Sequence, residues 1–251
     1  MPFSPPALVS QPDAEREELR SYLGAAYDDT RLQRWQEVLD EEYAEIGDEA
    51  RLYRTSEAYL YNLTAFAMSE TKLPYLEELL RHVPRGGEVL DYGCGIGSDG
   101  LMLIDAGYRV SFADFDNPSS RYLRWRLEQR GLNAPVYDLD REPPPMGFDG
   151  VYAFDVIEHV AEPEALLAEM ESRARVVALN LLEDDAGDTP LHRSLPIPAL
   201  VDRAARLRLL SYTRHHGGRS HLLVYSPDRA QGAARLRSLL RARIGRLRRS
   251  S

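Results

Sequence analysis

The sequence predicts an α/β protein in which a doubly wound, seven-stranded, mostly parallel sheet ends in an antiparallel hairpin and follows an N-terminal helical cap. Three observations predict this fold. Before residue 85, apolar residues recur at intervals of three and four, as in amphipathic helices. From Glu88, short apolar runs alternate with helical patterns, which is typical of βαβ units. Near the end, LRLLSYTR and SHLLVYS flank His215–Gly218 and leave no room for a crossover helix, so these two strands should form a hairpin.

Length and composition fit one large globular body. The chain has 251 residues, of which 43% are hydrophobic, enough to build a sizeable core. Its single cysteine, Cys94, excludes an intramolecular disulfide and a cysteine-rich metal centre. The N-terminus lacks the pattern of a signal peptide, and no apolar run is long enough to span a bilayer. We therefore expect a soluble, cytoplasmic protein with no transmembrane segment.

Charge divides the chain into an acidic body and a basic tail. The formal net charge is −9, yet residues 229–251 carry eight arginines and no acid, which leaves −17 on residues 1–228. An acidic body disfavours binding to extended nucleic acid. The apolar residues of the tail recur at helical spacing, and a basic amphipathic helix can contact an acidic protein or a membrane surface.

The N-terminal region, residues 1–84, predicts helices. One apolar stripe runs from Leu19 to Tyr27 and a second from Leu32 to Ile46, the second capped by Thr30. Two more helices are predicted at 56–68 and from about Pro74. Pro84 to Gly87 interrupt the helical pattern. We therefore divide the chain into a cap at 1–84, a core at 85–226 and an arginine-rich tail at 227–251.

The core begins with a glycine-rich loop between a strand and a helix. The predicted parallel strands are 88–92, 109–113, 134–137, 150–154 and 175–180. In EVLDYGCGIGSDGLML the first strand runs into Asp91, then Gly93, Gly95 and Gly97, with a helix starting near Ser98. Alternate glycines let the backbone turn sharply and approach a ligand, and the helix N-terminus presents N–H groups to it. A nucleotide-like ligand is therefore expected across the carboxyl end of this strand.

Acidic residues follow the next strands at the same edge. Asp114 ends the second strand, where a carboxylate can accept both hydroxyl hydrogen bonds of a ribose. Asp138 ends the third, where it can accept from an adenine amino group while Leu139 packs on the ring. The fourth strand brings Asp155 to this edge, where it is a further candidate for binding the same ligand.

These segments together resemble the class I S-adenosylmethionine-dependent methyltransferases. The resemblance rests on VLDYGCGIG, Asp114, Asp138 and FDGVYAFDVIEHV, and it covers roughly residues 85–226, with the terminal hairpin included. It implies S-adenosyl-L-methionine as the cofactor, with its methionine end held by Asp91 and the glycine loop. The sequence departs from the family pattern at two positions. Cys94 lies among the glycines, and a second acid, Asp140, follows Asp138, so either acid could make the adenine contact.

Candidate catalytic residues lie in two later segments. Glu158 and His159 follow the fourth strand, and histidine ordinarily titrates near neutral pH, so His159 could act as a general base; a packing and orienting role is as well supported. His192 lies in the loop after the fifth strand, which should cover the acceptor pocket. The spacing of these residues predicts no metal site. His215, His216 and His221 are interpreted as structural or solvated.

The cap supplies a further candidate. Seven of the 14 tyrosines lie at or before position 75, and Arg54 lies within one of their clusters, LYRTSEAYLYNL. Arg54 could hold the carboxylate of the cofactor or of an acidic acceptor. The tyrosines are explained equally well by amphipathic packing and by an acceptor pocket.

The sequence is compatible with three functions. The first is in-line methyl transfer to a small organic acceptor with an oxygen, nitrogen or carbon nucleophile. The second is a methyltransferase whose acceptor is a macromolecule or is bound to a carrier protein docked on the tail. The third is an NAD-dependent oxidoreductase, because Gly95, Gly97 and Gly100 also satisfy G-x-G-x-x-G; Asp91, Gly93 and the hairpin disfavour it.

Overall fold

The computed structural model describes residues 6–183 and 191–247. The helices are α1 (Pro12–Leu23), α2 (Asp29–Gln33), α3 (Trp35–Ile46), α4 (Glu49–Thr55), α5 (Ala58–Met68), α6 (Leu73–Leu80), α7 (Ser98–Asp105), α8 (Pro118–Gln129), α9 (Pro163–Arg173), α10 (Ile197–Arg206) and α11 (Gly232–Leu247). The strands are β1 (Glu88–Tyr92), β2 (Arg109–Asp114), β3 (Val136–Asp138), β4 (Gly150–Ala153), β5 (Val177–Leu182), β6 (Arg208–His215) and β7 (Ser220–Ser226). Short 3₁₀ turns lie at Gly24–Ala26, Ile157–His159 and His216–Gly218.

The strands form one seven-stranded sheet in the order β3-β2-β1-β4-β5-β7-β6. The pairs β2–β3 and β4–β5 are parallel, whereas β7 runs antiparallel to both β5 and β6. The predicted fold class, a doubly wound sheet with a terminal antiparallel hairpin and N-terminal helices, is therefore confirmed.

Strand boundaries differ from the prediction by one residue in β2 and β4 and by one or two residues at both ends of β3 and β5. β3 begins at Val136 instead of 134, since Pro135 has no N–H and takes part only through its carbonyl, which accepts from Phe112 N at 2.8 Å. β5 continues to Leu182 because its pairing with β7 extends to the pair Leu182 and Ser220.

The predicted N-terminal helices are present but more finely divided. The second predicted helix is split at Arg34 into α2 and α3, and its cap is Asp28, which accepts from Thr30 N at 2.8 Å, so the expected cap at Thr30 was wrong. The sequence pattern did not predict α4, a short helix capped by Asp48 that buries only Leu52.

The described chain forms two compact units. The glycine-loop unit consists of Pro6–Pro74 and Asp91–Pro144, and the hairpin unit consists of Tyr75–Leu90 and the described residues from Pro145 onward. In the glycine-loop unit, α5 packs on α1, α3 and α8. Their apolar residues enclose Ile96 of the glycine loop, in a core formed by Leu19, Leu32, Leu60, Tyr61, Ile96 and Tyr122.

The terminal helix of the hairpin unit packs through small residues. Ser238, Ala242 and Gly245 of α11 are buried, and α11 lies against β6 and α10. A Cβ on Gly245 would come within 2.2 Å of the Tyr212 ring, so only glycine permits this approach. The larger apolar residues of α11, which recur at helical spacing in the sequence, are exposed. Arg248 and Arg249 lie outside the described residues. No helix in the described ranges has the length and apolar character needed to cross a membrane.

One buried arginine ties the first helix of the glycine-loop unit to the glycine loop. The guanidinium of Arg126 is fully buried, donating through Nη2 to Glu15 and through Nε to Glu18, each at 2.7 Å. Its Nη1 donates to Ile96 O at 2.9 Å and to Ser98 Oγ at 2.8 Å. Because a buried charge is costly unless fully paired, α1 and the loop depend on each other for their positions.

We predict that Arg126→Met lowers the free energy of unfolding by about 3–5 kcal/mol, because it removes the buried cation beside Glu15 and leaves Glu18 with Arg130 alone. Urea denaturation followed by circular dichroism measures this change. The matched control is Arg121→Met on the same helix, whose exposed ion pair with Asp116 should contribute no more than about 1 kcal/mol. Equal losses in the two variants would contradict the proposed importance of the network.

Candidate functional site

The glycine loop is fixed to the end of the neighbouring strand by backbone hydrogen bonds. Gly93 N and Cys94 N both donate to Ala113 O, at 2.8 and 3.2 Å. Gly95 and Gly97 have φ values of +51° and +72°, in the left-handed region that side chains disfavour. A Cβ on Gly95 would lie 3.0 Å from Leu63 of α5, so the loop carries no side chain where the helix approaches it.

Asp114 links the loop to the end of β2. Its Oδ2 accepts from Gly95 N at 2.7 Å, while Oδ1 accepts from Phe115 N at 2.7 Å and from Asn117 Nδ2 at 3.3 Å. Burial raises the pKa of the Asp114 carboxyl, although these hydrogen bonds oppose the shift. Asn117, rather than the neighbouring acid Asp116, caps α8 through a reciprocal capping box with Ser120.

Asp138 and Leu139 lie beside Asp114. Asp138 is in register with Asp114 across the β2–β3 pair, and Leu139 N donates to Asp114 O at 3.0 Å. Asp138 Oδ1 accepts from the backbone N–H of Asp140 at 3.1 Å. The two acids that the sequence places at successive strand ends are thus adjacent.

Arg54 belongs to this cluster. Its guanidinium forms a two-pronged ion pair with Asp140, with Nη2 2.9 Å from Oδ1, and lies 4.3 Å from the centre of the Phe115 ring. The Arg54 hydrogen bond lowers the pKa of the Asp140 carboxyl. Asp140 is engaged by Arg54 and Asp138 by Arg141, whose Nε lies 3.0 Å from Asp138 Oδ2, so the ion pairs do not decide between the two acids. The register of Asp138 with Asp114 is what favours Asp138 as the carboxylate that faces a ligand.

Asp91 is buried next to the first turn of α7. Only 4% of Asp91 is exposed, and a Cβ on Gly100 would lie 3.1 Å from its Oδ2 and 2.2 Å from the Phe112 ring. The carboxylate thus lies near the positive end of the helix dipole. The adjoining Cys94 thiol is also buried, and burial raises its pKa well above the ordinary value.

In the hairpin unit, the end of β4 is held in an unusual conformation. Asp155 has φ +54°, a value that non-glycine residues rarely adopt. Two hydrogen bonds with Asn180 fix it: Asp155 N donates to Asn180 Oδ1 at 2.8 Å, and Asn180 Nδ2 donates to Asp155 Oδ1 at 2.7 Å. Such strain is found most often at functional sites, where the surroundings hold it in place.

The three candidate catalytic residues are brought together directly after this turn. Glu158 and His159 lie in the 3₁₀ turn, and His192 returns to them from the loop after β5; the imidazole rings of the two histidines are 5.0 Å apart. Arg193 N donates to Glu158 O at 2.9 Å and holds that loop on the turn. Residues 184–190 of the loop lie outside the described part of the chain.

The sequence pattern did not predict a polar chain along this edge of the hairpin unit. Asn180 Nδ2 also lies 3.4 Å from Ser220 Oγ, to which Tyr75 OH donates at 2.7 Å. All three residues are buried or nearly so. Asn180 is the one polar residue in the apolar strand VALNLL, and this exception to the pattern was the available signal.

A second polar cluster lies at the start of β7. Tyr212 OH and His221 Nδ1 are 2.5 Å apart, and His221 Nε2 is 2.7 Å from Glu183 Oε1. These residues line a cavity of about 380 Å³, and burial lowers the pKa of His221. The buried contacts of His221 with a phenol and a carboxylate favour a structural role for this residue.

The comparisons with known proteins agree with this geometry. The family model described as a methyltransferase domain matches residues 66–228, and the chain belongs to this family. The protein is an S-adenosylmethionine-dependent methyltransferase of class I. The family match therefore favours this interpretation of the glycine loop over that of an NAD-dependent oxidoreductase. Among curated protein sequences, none matches the chain significantly.

Three solved structures share the fold. The 1,6-didemethyltoxoflavin-N1-methyltransferase of Burkholderia thailandensis, with 1,6-didemethyltoxoflavin and S-adenosylhomocysteine bound, has a TM-score of 0.51 at 19% identity, over 88% of this chain and 92% of that one. An O-methyltransferase family protein of the same organism has a TM-score of 0.56 at 14% identity, over 82% and 74% of the two chains. A protein of Pyrococcus horikoshii has a TM-score of 0.50 at 19% identity, over 70% and 95%.

The glycine-loop unit fits the cofactor of this class. S-Adenosylmethionine supplies a methyl group on a positively charged sulfur, and a glycine-rich loop next to carboxylates at strand ends suits an extended, cationic nucleoside. Gly95 itself has no Cβ, Leu63 of α5 packs close to it, and its N–H donates to Asp114 at 2.7 Å.

We predict that Gly100→Ala destabilises the protein by about 1–3 kcal/mol, although alanine ordinarily favours a helix over glycine. The added methyl group would overlap the Phe112 ring, which is fully buried. Urea denaturation of Gly100→Ala, Phe112→Leu and the double variant forms a thermodynamic cycle. The loss caused by Gly100→Ala should be smaller in the Phe112→Leu background, and strictly additive losses would refute the overlap.

Proposed function

We propose that this methyltransferase acts on a small organic acceptor with an oxygen, nitrogen or carbon nucleophile by in-line methyl transfer. The observation that carries the proposal is the similarity to the 1,6-didemethyltoxoflavin-N1-methyltransferase, whose structure has 1,6-didemethyltoxoflavin bound. That similarity covers 88% of this chain, so it includes part of the N-terminal helices as well as the core. Residues 1–228 carry a formal net charge of −17, which disfavours extended nucleic acid as a partner.

The cofactor-binding roles are assigned to the glycine-loop unit. Asp114 accepts from the ribose hydroxyls, Asp138 accepts from the adenine amino group, and Leu139 packs on the ring. Asp91 and the loop glycines Gly93, Gly95 and Gly97 hold the methionine end. The contacts of Asp114 with Gly95 N and of Leu139 N with Asp114 O support a single continuous site.

Arg54 receives a different role from the one its sequence context suggested. Because its two-pronged ion pair with Asp140 engages both sides of the guanidinium fork, it is assigned to the rim of the adenosine site together with Phe115. It is not assigned to a carboxylate of the cofactor or of the acceptor.

The acceptor-binding roles divide between two groups of residues. Glu158, His159 and His192 are the candidates for handling the proton or orienting the nucleophile, and Asp155 braces the turn that carries the first two. Tyr22, Tyr27 and Tyr61 pack in or against the core around Ile96, whereas the half-buried pair Tyr53 and Tyr59 is available as a pocket wall. The division into a cap at 1–84, a core at 85–226 and a tail at 227–251 is kept as part of this proposal.

We predict that Asp114→Asn weakens binding of S-adenosylhomocysteine about 10–100-fold, because it removes a charged acceptor worth roughly 1.5–3 kcal/mol. Isothermal titration calorimetry measures the affinity. The matched control is Asp116→Asn, which alters an exposed carboxylate two residues away and should leave binding unchanged. Unchanged binding in Asp114→Asn would remove Asp114 from the site, and no binding to the wild-type protein would overturn the proposed function.

A carrier-bound acceptor is the second candidate, supported by the exposed basic face of α11. Arg235, Arg237 and Arg243 are exposed, whereas Arg241 donates to Leu209 O and Arg246 is paired with Asp202. Because α11 covers β6, deleting the helix would disturb the fold as well as the charge.

We predict that the triple variant Arg235→Glu, Arg237→Glu and Arg243→Glu leaves kcat and KM for a free small acceptor unchanged, because these side chains contact solvent. Steady-state assays at low and moderate salt measure both constants. A KM that rises at least tenfold at low salt, and less so at high salt, would indicate an acceptor presented by an acidic protein.

A further inference from the structure

We propose that Glu158, His159 and His192 bind a divalent transition-metal ion, with Mn²⁺, Fe²⁺, Co²⁺ and Zn²⁺ as the fitting class. One ligand atom from each residue, a carboxylate oxygen or an imidazole nitrogen, lies within 4.8 Å of the other two. Ligands that share such an ion at roughly 2.0–2.2 Å are about 3–3.5 Å apart, so small side-chain rotations close the set. The sequence predicted no metal site because His192 is far from His159 in the chain, and only the fold brings them together.

The backbone presets two of the three ligands. His159 Nδ1 lies 3.1 Å from Leu191 O, and because a carbonyl only accepts, Nδ1 carries the proton and the lone pair is on Nε2. This is the arrangement of a metal-binding histidine whose second nitrogen donates to a backbone carbonyl. The neighbouring residue His192 is held close by the bond from Arg193 N to Glu158 O.

Burial strengthens the attraction between the Glu158 carboxylate and a cation bound beside it. Only 1% of Glu158 is exposed, so little water screens that attraction. The turn that carries it follows directly on Asp155, whose strained backbone is fixed by Asn180. The fold therefore holds a buried acid against two imidazoles on a rigid support.

The ligand set narrows the type of ion. Two nitrogens and one oxygen fit first-row transition ions, whereas Mg²⁺ and Ca²⁺ prefer oxygen ligands throughout. Three protein ligands leave at least one coordination position open, as in catalytic metal sites.

The open coordination position indicates which class of acceptor the enzyme would methylate; this inference rests on the proposed function. An acceptor hydroxyl, or a pair of neighbouring oxygens, would bind there and lose its proton to solvent at a lower pH than in water, since a bound ion strongly lowers the pKa of its oxygen ligand. The site therefore favours an oxygen nucleophile among the three acceptor types.

The test measures metal binding directly in the full, untagged chain. Protein stripped with a chelator and dialysed is titrated with Zn²⁺, Mn²⁺ or Co²⁺ by calorimetry, and Co²⁺ binding is also followed by its visible absorption. We expect one equivalent to bind, with the affinity reduced at least tenfold in Glu158→Gln and in His192→Gln. The matched controls Glu162→Gln and His216→Gln, which alter exposed side chains in the same unit, should bind as the wild-type protein does.

Either of two outcomes would overturn the metal site. In the first, none of the three ions binds to the wild-type protein; in the second, the ligand variants and the control variants bind the ion with equal affinity. S-Adenosylhomocysteine calorimetry and circular dichroism on every variant distinguish loss of the metal from loss of the fold. They also separate the two proposals, because cofactor binding without metal binding removes this inference and leaves the proposed function standing.

Discussion

The buried guanidinium of Arg126 is the interaction on which the glycine-loop unit depends. It joins residues more than 100 positions apart in the chain, since it donates to Glu15 and Glu18 of α1 and also to the carbonyl of Ile96. Arg130 adds a second bond to Glu18, and burial, which alone would raise the pKa of Glu18, is outweighed by these two arginines, so that its pKa is lowered. The helical segment thus forms part of the support of the loop, with α1 supplying the charges that keep α8 and the loop together.

Much of the fold could be predicted because hydrophobic period and turn residues are local signals. The five parallel strands and the terminal hairpin follow from apolar runs, from glycines that end helices and from the short hairpin connection. The boundaries that failed depend on partners distant in sequence: β5 is extended by β7, and Pro135 shortens β3 because it cannot donate to β2. The short helix α4 failed for a different reason, since it buries only Leu52 and so has almost no apolar periodicity.

The candidate site was predictable to a different degree in each unit. In the glycine-loop unit, the carboxyl ends of adjacent parallel strands lie side by side at one edge of the sheet. Asp114, Asp138 and the glycine loop could therefore be grouped from their positions in the sequence alone. Arg54 could not, because its ion pair with Asp140 spans 86 positions of the chain. In the hairpin unit, the proximity of His192 to His159 depends on the path of a loop, for which sequence carries little information.

The state of Cys94 has a consequence for an enzyme that handles an alkylating agent. A cysteine attacks an activated methyl group only as the thiolate, and the ordinary thiol pKa lies not far above neutral. In this protein, burial of the sulfur, together with the nearby carboxylates of Asp114 and Asp91, raises the pKa of the Cys94 thiol and so disfavours the thiolate. With the donor bound at the glycine loop, as proposed, the single thiol of the polypeptide would adjoin the activated methyl group, and a raised thiol pKa disfavours the side reaction that would consume it.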